Sequence, residues 1–274
     1  MEKSHKILVT GGMGVVGSYI KFGLQLSHTD LDITDLSQVE EVIHREKPSI
    51  IIHLAAITDM KLCEENHDLA YKVNAIGTYN IALIAKDVEA KVIYVSTNAV
   101  FDGLKNGPYA SIDIPRPINV YGHSKYLGEL AVLGVNSRNL VVRTSWIFGG
   151  GKNKDKKFVG KIMPKLQMSE ALSAVSDVYG TPTYGKDLAL ILEKLVTSDV
   201  SGIIHITNSG KASRYDMAMV IKESLGSKSK ISPVPLSNFK IIGNTLQNES
   251  LDSGKYSMRP WQGALEEYIK TEWK

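Results

Sequence analysis

The sequence of 274 residues predicts an α/β fold, built on a doubly wound parallel sheet and completed by a smaller C-terminal cap. Three short segments, KILVT, IIIHL and KVIYV, are almost continuously apolar or β-branched, as expected of strands buried on both faces of a parallel sheet. Helical patterns separate these segments, and strands that alternate with helices are typical of right-handed βαβ units. A hydrophobic content of 43% and a net charge of only +3 indicate a folded chain.

Strand and helix patterns run along the whole chain. Strands are predicted at 6–10, 49–54, 91–96, 139–144 and 203–207. Helices are predicted at 36–46, 68–86, 122–133, 186–197, 214–225 and 261–271. The composition changes at the Gly/Lys-rich stretch GGGKNKDKK, so we expect residues 1–149 to form the main domain. Residues 150–274 are expected to form mainly the cap, with segments near 171–207 rejoining the main domain.

Several classes of protein and site are excluded. Cys63 is the only cysteine, so neither a disulfide framework nor a CxxC-type zinc site is expected. The seven histidines show no metal-ligand spacing, and we expect no metal. The small net charge gives no reason to expect a nucleic-acid partner. No apolar run reaches the ~18–20 residues of a membrane helix and no signal-peptide pattern opens the chain, so we expect a cytoplasmic protein without membrane contact.

A glycine-rich motif follows the first predicted strand. Gly11, Gly14 and Gly17 form GxxGxxG at the turn where this strand should meet a helix. Backbone amides at such a turn can approach a pyrophosphate, and side chains in place of the glycines would block that approach. The motif therefore indicates a Rossmann-type nucleotide site. The alternative is a tight turn without a ligand.

The ribose of a dinucleotide is usually held by an acidic residue ~20 positions after the first glycine. Asp30 and Asp32 lie near that distance, but only nine residues separate Gly17 from Ser27, too few for a full helix and a full strand. Either the first helix or the second strand is therefore shortened. If the strand is 22–26, no carboxylate directly follows it, and a 2′-phosphate is tolerated. The residues leave NADPH and NADH open as cofactors, and we favour NADPH.

Three polar residues form a candidate catalytic set. Thr97 closes the strand predicted at 91–96, and Tyr121 and Lys125 form a YxxxK pair that opens a predicted helix. Residues i and i+4 share one face of a helix, so the phenol and the ammonium point to the same place. A lysine charge there would lower the pKa of the phenol and make it a usable acid or base for a carbonyl oxygen, which Thr97 can also hydrogen-bond. The alternative is an ordinary helix N-terminus with a solvated lysine.

Further motifs extend nearly from end to end. They are TGGMGVVG, LDITD (31–35), HLAAITDMKLCEEN (53–66), VNAIGTYNIA (73–82), STNAVFDG (96–103), PINVYGHSKYLGE (117–129), RTSWIFG (143–149), DVYGTPTYGKDLA (177–189) and SLDSGK (250–255). With these motifs the chain resembles the dTDP-4-dehydrorhamnose reductase family of the extended short-chain dehydrogenases/reductases. LDITD, RTSWIFG and GTPTY are specific to that family. The resemblance implies hydride transfer from NADPH, or NADH, to the 4-keto carbon of a nucleotide-linked 6-deoxy sugar.

The resemblance also implies roles for individual residues. The catalytic residues would be Thr97, Tyr121 and Lys125. The cofactor would be bound by Gly11, Met13, Gly14, Val15, Val16, Asp32, Ile33, Ala55, Ala56, Tyr121 and Lys125. The substrate would be bound by Thr58, Thr97, Asn98 and Trp146, with Trp146 against the nucleotide base and Asn74 as a structural or proton-relay residue. A nucleotide sugar is the expected partner, and a homodimer is left open.

Three departures from the family pattern bear on the identity of the substrate. Asn98 replaces an acidic residue, Ala99 replaces a tyrosine, and Gln247-Asn248-Glu249 stands where an Arg-Pro pair usually precedes SLDxxK. Dehydratase or epimerase activity is disfavoured, because dehydratases of the superfamily carry an Asp-Glu pair after the threonine and this chain does not.

Alternatives remain open for the whole chain and for two of its features. Members similar to this family serve as the β subunit of methionine adenosyltransferase, so a non-catalytic nucleotide-binding regulatory subunit is the second hypothesis. Trp146 is either a nucleotide contact or a core residue. The lysines of the Gly/Lys-rich stretch form either a solvated loop or a contact with a diphosphate, and they are Lys152, Lys154, Lys156 and Lys157.

Overall fold

The computed structural model describes residues 6–239 and 243–273. Up to the fifth strand the elements are β1 (Ile7–Thr10), β2 (Leu24–Leu26), α1 (Leu36–Glu46), β3 (Ile50–His53), α2 (Met60–Glu65), α3 (His67–Tyr71), α4 (Thr78–Asp87), β4 (Lys91–Thr97), α5 (Val120–Val135) and β5 (Leu140–Thr144). The elements that follow are β6 (Ile147–Phe148), α6 (Gly151–Lys154), α7 (Phe158–Gln167), β7 (Leu172–Val175), β8 (Tyr179–Gly180), β9 (Thr183–Tyr184), α8 (Gly185–Val196), β10 (Gly202–His205), β11 (Asn208–Ser209), β12 (Ala212–Ser213), α9 (Arg214–Leu225), β13 (Ile231–Val234), β14 (Asn248–Glu249), β15 (Met258–Pro260) and α10 (Trp261–Glu272).

Six strands form one parallel sheet in the order β2-β1-β3-β4-β5-β10. The chain moves outward from β1 to β2 and then returns to β3 on the other side of β1, so the winding direction reverses between β1 and β3. In open α/β sheets, ligands bind at such a reversal, beyond the carboxyl ends of the strands. The predicted doubly wound parallel sheet is confirmed.

Both faces of the sheet are covered, because alternate residues of each strand point to opposite sides. One face packs against α1, α4 and α5 through Leu8, Ile51, Val92 and Val141. The other face packs against α8 through Val9, Ile52, Ile93 and Val142. Burial on both faces explains why these strands read as continuous apolar runs rather than as alternating ones.

The C-terminal part of the chain forms a separate apolar cluster, in which α7, α9 and α10 pack together. Its buried members include Met163, Leu166, Met217, Ile221, Leu265 and Tyr268. Strands β7 and β13 pair with each other, outside the main sheet. In contrast, β10 adds the sixth strand to the main sheet, and α8 packs on it. The chain therefore returns from the cap to the sheet over residues 185–205.

The last helix is tied to the first part of the chain through a carboxylate. Glu272, at the end of α10, accepts hydrogen bonds from the hydroxyls of Tyr19 and Tyr184. The Tyr19 hydroxyl in turn accepts a hydrogen bond from the Gly150 amide. Because Tyr19 follows the glycine-rich motif directly, the cap helps to hold the segment that leaves the motif.

Two regions differ from the predicted elements. The predicted helix 68–86 is interrupted, because a π-helical turn, Lys72–Gly77, joins α3 to α4. Its Asn74 side chain bonds the backbone of Ile57, a long-range contact that helical periodicity cannot show. Between β1 and α1, the first helix is reduced to a 3-10 turn, Gly17–Tyr19, and β2 to three residues. Both the first helix and the second strand are therefore short, whereas the sequence predicted that one or the other would be.

In residues 6–239 and 243–273, no helix combines the length and the apolar character needed to cross a membrane. The same residues hold no group of three or more His, Cys, Asp or Glu side chains placed to bind a metal ion. Cys63 is buried and forms no disulfide.

Candidate active site

The glycine-rich motif forms the loop that leaves β1. Gly11 has φ = +68°, and a Cβ on it would lie 2.6 Å from the amide nitrogen of Ala55. A Cβ on Gly17 would lie 2.4 Å from the carbonyl oxygen of Gly12. Both distances are too short for any side chain, so the fold itself requires glycine at these two positions.

Gly14 differs from the other two glycines, because the protein leaves space beside it. It is exposed, and the one atom within 4 Å of an added Cβ, apart from chain neighbours, is the Gly11 carbonyl oxygen at 3.2 Å. The amides of Met13 and Val15 donate to no acceptor in the part of the chain that the structure describes. The loop thus presents free N–H groups on an open face, which fits the pyrophosphate of a dinucleotide.

The helix that was expected to follow the glycine-rich motif is reduced to a single turn. Only the three-residue turn Gly17–Tyr19 follows the glycines, so no full helix directs its N-terminus at a ligand there. Among the predicted cofactor residues of the loop, Met13 is exposed, whereas Val16 is buried in the apolar cluster beneath α8. The Val16 side chain therefore packs in the core.

The acidic residues after β2 are engaged in local turns. Asp30 accepts hydrogen bonds from the amide and the hydroxyl of Ser27. Asp32 accepts them from the amide and the hydroxyl of Thr34, at 2.9 and 2.8 Å. These bonds lower the pKa of both carboxyls. Ile33, the other predicted cofactor residue here, is buried in the cluster beneath α1 and α4.

A buried histidine, His53 at the end of β3, is hydrogen-bonded to β1 and to α4. The hydroxyl oxygen of Thr10 lies 2.6 Å from Nδ1 of His53, and that of Thr78 lies 3.0 Å from Nε2. The ring also stacks on Tyr94, with ring centres 5.4 Å apart. Burial lowers the pKa of His53 to about 3, and the nearby Lys125 charge adds to this effect. The ring is therefore neutral at neutral pH.

The chain after β3 passes along the glycine loop. Ala55, which with Ala56 was predicted to contact the cofactor, packs against that loop. Asn74 fixes the next residue, Ile57: its side chain accepts from the Ile57 amide at 2.9 Å and donates to the Ile57 carbonyl oxygen at 3.0 Å. It also donates to the Ser124 hydroxyl at 3.0 Å. Asn74 therefore connects the loop after β3 with α5.

Thr97 and Tyr121 meet at the carboxyl end of β4. The Asn119 side chain caps α5 by accepting from the Gly122 amide at 2.7 Å. Gly122 lacks the Cβ that would lie 2.0 Å from the Ala99 carbonyl oxygen, so α5 can begin close to the end of β4. Burial raises the pKa of Tyr121 to about 12, and a hydrogen bond with the Thr97 hydroxyl opposes part of this rise. The phenol is therefore protonated at neutral pH.

Lys125 lies one helical turn from Tyr121 on α5 but is engaged elsewhere. Its Nζ donates to the Val95 carbonyl oxygen at 2.9 Å and lies 4.1 Å from the centre of the Tyr94 ring. Burial lowers the pKa of Lys125 to about 7, although the Glu129 carboxylate opposes this shift. The prediction that Lys125 lowers the pKa of Tyr121 is wrong for this structure, because burial of the phenol dominates and raises it.

Two predicted substrate residues are joined by a carboxylate to which the sequence gave no role. The side-chain amide of Asn98 and the indole N–H of Trp146 both donate to Oε2 of Glu249, each at 2.8 Å. The Thr97 hydroxyl donates to Oδ1 of Asn98 at 3.3 Å. A polar chain therefore runs from Thr97 to Glu249. The departure from the family pattern at residues 247–249 was the one signal of this carboxylate in the sequence.

The Trp146 indole is held by the cap. The Arg214 guanidinium carbon lies 3.6 Å from the centre of the indole ring, so it covers one face. Gly180 also touches the indole, since a Cβ at Gly180 would lie 2.3 Å from its Cε2 atom. Trp146 has φ = +43°, a conformation that is rare for a bulky residue. Its surroundings therefore fix the indole in place, and no sequence motif indicated Arg214.

Two lysines of the Gly/Lys-rich stretch bridge the cap and the sheet domain. Lys154 Nζ donates to the carbonyl oxygen of Met13 at 2.7 Å. Lys157 Nζ donates to the carbonyl oxygen of Thr58 at 2.8 Å. Thr58, a predicted substrate residue, is exposed. These two lysines are therefore more than a solvated loop, because they bring positive charge beside the glycine loop and beside Thr58.

Known proteins show which family this chain belongs to. The family model described as the RmlD substrate binding domain matches residues 5–273. A dTDP-4-dehydrorhamnose reductase from Mycobacterium tuberculosis is 34% identical to this chain, covering 96% of it and 92% of the relative. The chain belongs to the dTDP-4-dehydrorhamnose reductase family. This membership confirms the resemblance that the motifs indicated.

Other members of the family extend the comparison to activity and structure. A dTDP-4-keto-6-deoxy-D-glucose reductase from Streptomyces niveus is 32% identical, with 94% of each chain covered. A crystal structure of dTDP-4-dehydrorhamnose reductase from Bacillus anthracis, in complex with NADP, has a TM-score of 0.90 and 32% identity, covering 98% of this chain and 100% of that one. The activities named for these relatives are of the class that the sequence predicts.

Proposed function

We propose that this protein is an NADPH-dependent reductase that converts the 4-keto group of a nucleotide-linked 6-deoxy sugar into a hydroxyl group. The observation that carries the proposal is the meeting of Thr97 and Tyr121 beyond the end of β4. Lys125 lies one turn further along α5, and the open glycine loop leaves β1 at the reversal point of the sheet. The named activities of the 32–34% identical relatives support this function.

Tyr121 and Thr97 have separate roles in this mechanism. NADPH, when bound, supplies the hydride. The Tyr121 phenol, which its raised pKa keeps protonated, donates a proton to the oxygen at C4 as the carbonyl becomes a hydroxyl. The Thr97 hydroxyl can donate and accept, so it can hydrogen-bond the same oxygen and orient the carbonyl.

Lys125 is proposed to hold the nicotinamide ribose. Its ammonium has three N–H donors, and the Val95 carbonyl oxygen takes one of them. Because burial lowers the pKa of Lys125 to about 7, its charge is fully present only below that pH. A hydrogen-bond acceptor or an anion placed beside it would favour the charged form.

The surroundings of Asp32 support NADPH over NADH. Asp30 and Asp32 are both engaged by their own turns. His28 and Lys72 lie close enough to Asp32 for their charges to contribute to its lowered pKa, after the hydrogen bond from the Thr34 amide. The ammonium of Lys72 is the group beside Asp32 that suits a 2′-phosphate.

The substrate is proposed to lie between Thr97 and the cap, with its nucleotide towards Trp146. Partial desolvation lowers the pKa of Lys157, the Asp59 carboxylate opposes this shift, and the nearby charges of Lys161 and Arg214 add to it. These cations therefore repel one another. A diphosphate between Lys157 and Arg214 would relieve the repulsion, which gives the diphosphate a place in the site.

The state of Cys63 agrees with a reducing location. Burial raises the pKa of this free thiol to about 11, so it is not a reactive thiolate. The proposed location of the enzyme is the cytoplasm, where this thiol would stay reduced.

The decisive experiment is NADPH oxidation with a panel of 4-keto-6-deoxy nucleotide sugars. We expect turnover of at least one member of the panel, and a slower reaction with NADH. If the protein binds the nucleotides but oxidises NADPH with none of the sugars, the regulatory-subunit hypothesis replaces the reductase.

A further inference from the structure

Glu249 is a carboxylate held in place beside the proposed reaction centre. Its Oε2 accepts from Asn98 and Trp146 at 2.8 Å, and its backbone carbonyl oxygen accepts from the Ser145 hydroxyl at 3.1 Å. Glu249 also ends β14, which pairs with β8. Side chain and backbone are therefore both fixed, so the direction of the carboxylate is set by the fold.

The second oxygen of this carboxylate is left for another partner. Oε1 of Glu249 accepts no hydrogen bond from residues 6–239 or 243–273. Arg214, which stacks on the Trp146 indole, interacts electrostatically with the carboxylate but forms no ion pair with it within 4.0 Å. The carboxylate lies near the proposed reaction centre, because it accepts from Asn98, whose side-chain oxygen accepts from the Thr97 hydroxyl. The charge of Glu249 also makes a small contribution to the raised pKa of Tyr121. An acceptor without a partner therefore lies next to the proposed proton donor.

We propose that Glu249 is a specificity-determining residue, which accepts a hydrogen bond from the sugar hydroxyl next to the reacting carbonyl. The inference rests on the proposed reductase function. An ionised carboxylate only accepts, so the substrate atom that it contacts must carry a hydrogen. The carboxylate also repels the diphosphate, which accordingly lies away from Glu249, towards Lys157. The site is therefore specific for a neutral sugar that keeps its C3 hydroxyl.

The substitution Glu249→Gln separates this role from a structural one. The side-chain oxygen of glutamine can still accept from Asn98 and Trp146, so the existing contacts are retained. The other oxygen, however, becomes an NH₂ group, which donates and cannot accept from the sugar hydroxyl. Glu266→Gln is the matched control, because Glu266 is exposed on α10.

The experiment measures kcat/KM for a 4-keto-6-deoxy nucleotide sugar and for its 3-deoxy analogue. We expect the parent and Glu266→Gln to prefer the hydroxylated sugar at least tenfold, in line with a hydrogen bond to a charged group. Glu249→Gln should reduce this preference to less than about threefold, with an unchanged melting temperature. An equal loss on both sugars, or no loss on either, overturns the proposal.

Equilibrium binding makes the outcome independent of turnover. Calorimetric titration with the 4-hydroxy nucleotide sugar and its 3-deoxy form should show the same preference in the parent and the same loss in Glu249→Gln. A parent that binds both forms equally overturns the inference about Glu249. A parent that shows the binding preference but oxidises no NADPH overturns the reductase function and leaves the role of Glu249 intact.

Discussion

The ammonium of Lys125 donates to the carbonyl oxygen of Val95, two residues before Thr97 on the same strand. This hydrogen bond joins the middle of α5 to the end of β4. It also places a charged group where burial lowers its pKa to about 7. The pH dependence of NADPH binding near neutrality should therefore come from Lys125. The pKa of Tyr121, about 12, is too high for this group to contribute.

We expect the affinity for NADPH to fall as the pH rises above about 7. Below this pKa Lys125 is charged and can donate to the cofactor, and above it the charge is lost, so affinity should decrease by up to about tenfold per pH unit. Fluorescence titrations between pH 6.5 and 9 measure this effect. Lys125→Arg keeps its charge over the whole range and should give a flat profile. A flat profile in the parent would exclude Lys125 as the source.

Tyr121→Phe should abolish most of the turnover without affecting the fold. The substitution keeps the ring and removes only the hydroxyl, so kcat should fall by the ~10²–10⁴ typical of a lost general acid. Steady-state kinetics, cofactor titration and thermal unfolding together test this prediction. Near-normal turnover with the true substrate would show that another group donates the proton.

Gly14→Asp should prevent cofactor binding while the protein still folds. The position is open, so the new side chain fits, but its carboxylate would face the pyrophosphate beside the free amides of the loop. Gly134→Asp is the control, since Gly134 is exposed on α5 with no neighbouring atom within 4 Å of an added Cβ. If Gly14→Asp binds NADPH as tightly as this control, the cofactor lies elsewhere.

Trp146→Ala should raise the KM for the nucleotide sugar by about 5- to 150-fold, if the indole contributes the ~1–3 kcal/mol typical of stacking with a base. Trp146→Phe keeps a ring for Arg214 but loses the N–H that donates to Glu249, so its effect should be smaller. Kinetics and thermal unfolding of both variants distinguish the two roles. A loss of stability with an unchanged KM would make Trp146 a core residue.

His53 should make the protein less stable in acid. Its pKa falls from 6.5 to about 3 on folding, so the unfolded chain binds the proton more tightly between these values. The stabilising contribution is complete above pH 6.5 and decreases by about 1.4 kcal/mol per pH unit as the pH falls towards 3. Urea unfolding at a series of pH values measures this slope. His53→Gln should have a shallower slope, and an equal slope would show that His53 does not titrate on unfolding.

The parts of the fold that are set by local chemistry could be predicted from the sequence. The central strands are recognisable because burial on both faces makes them continuously apolar. The predicted bounds of α1 and α9 agree with the structure, because Asp35 and Ser213 cap their N-termini with their own side chains. Capping and burial patterns are properties of a few neighbouring residues.

The parts that depend on distant contacts could not be predicted. Glu249 is bonded to residues 151 and 103 positions away, Asn98 and Trp146, so no local pattern encodes the contact. The pKa of Lys125 depends on how deeply the folded protein buries it, which the YxxxK spacing does not reveal. The resemblance located the candidate residues, but the electrostatics of the site required the folded structure.

The hydrogen bond between Tyr19 and Glu272 spans 253 positions of the chain. It makes the segment after the glycine loop and the end of α10 parts of one cooperative unit. Fraying of α10 would release Tyr19 and loosen the loop, and a dinucleotide that orders the loop must, by reciprocity, oppose that fraying. The last turn of α10, which lies outside every motif of the sequence, thus contributes to the free energy of nucleotide binding.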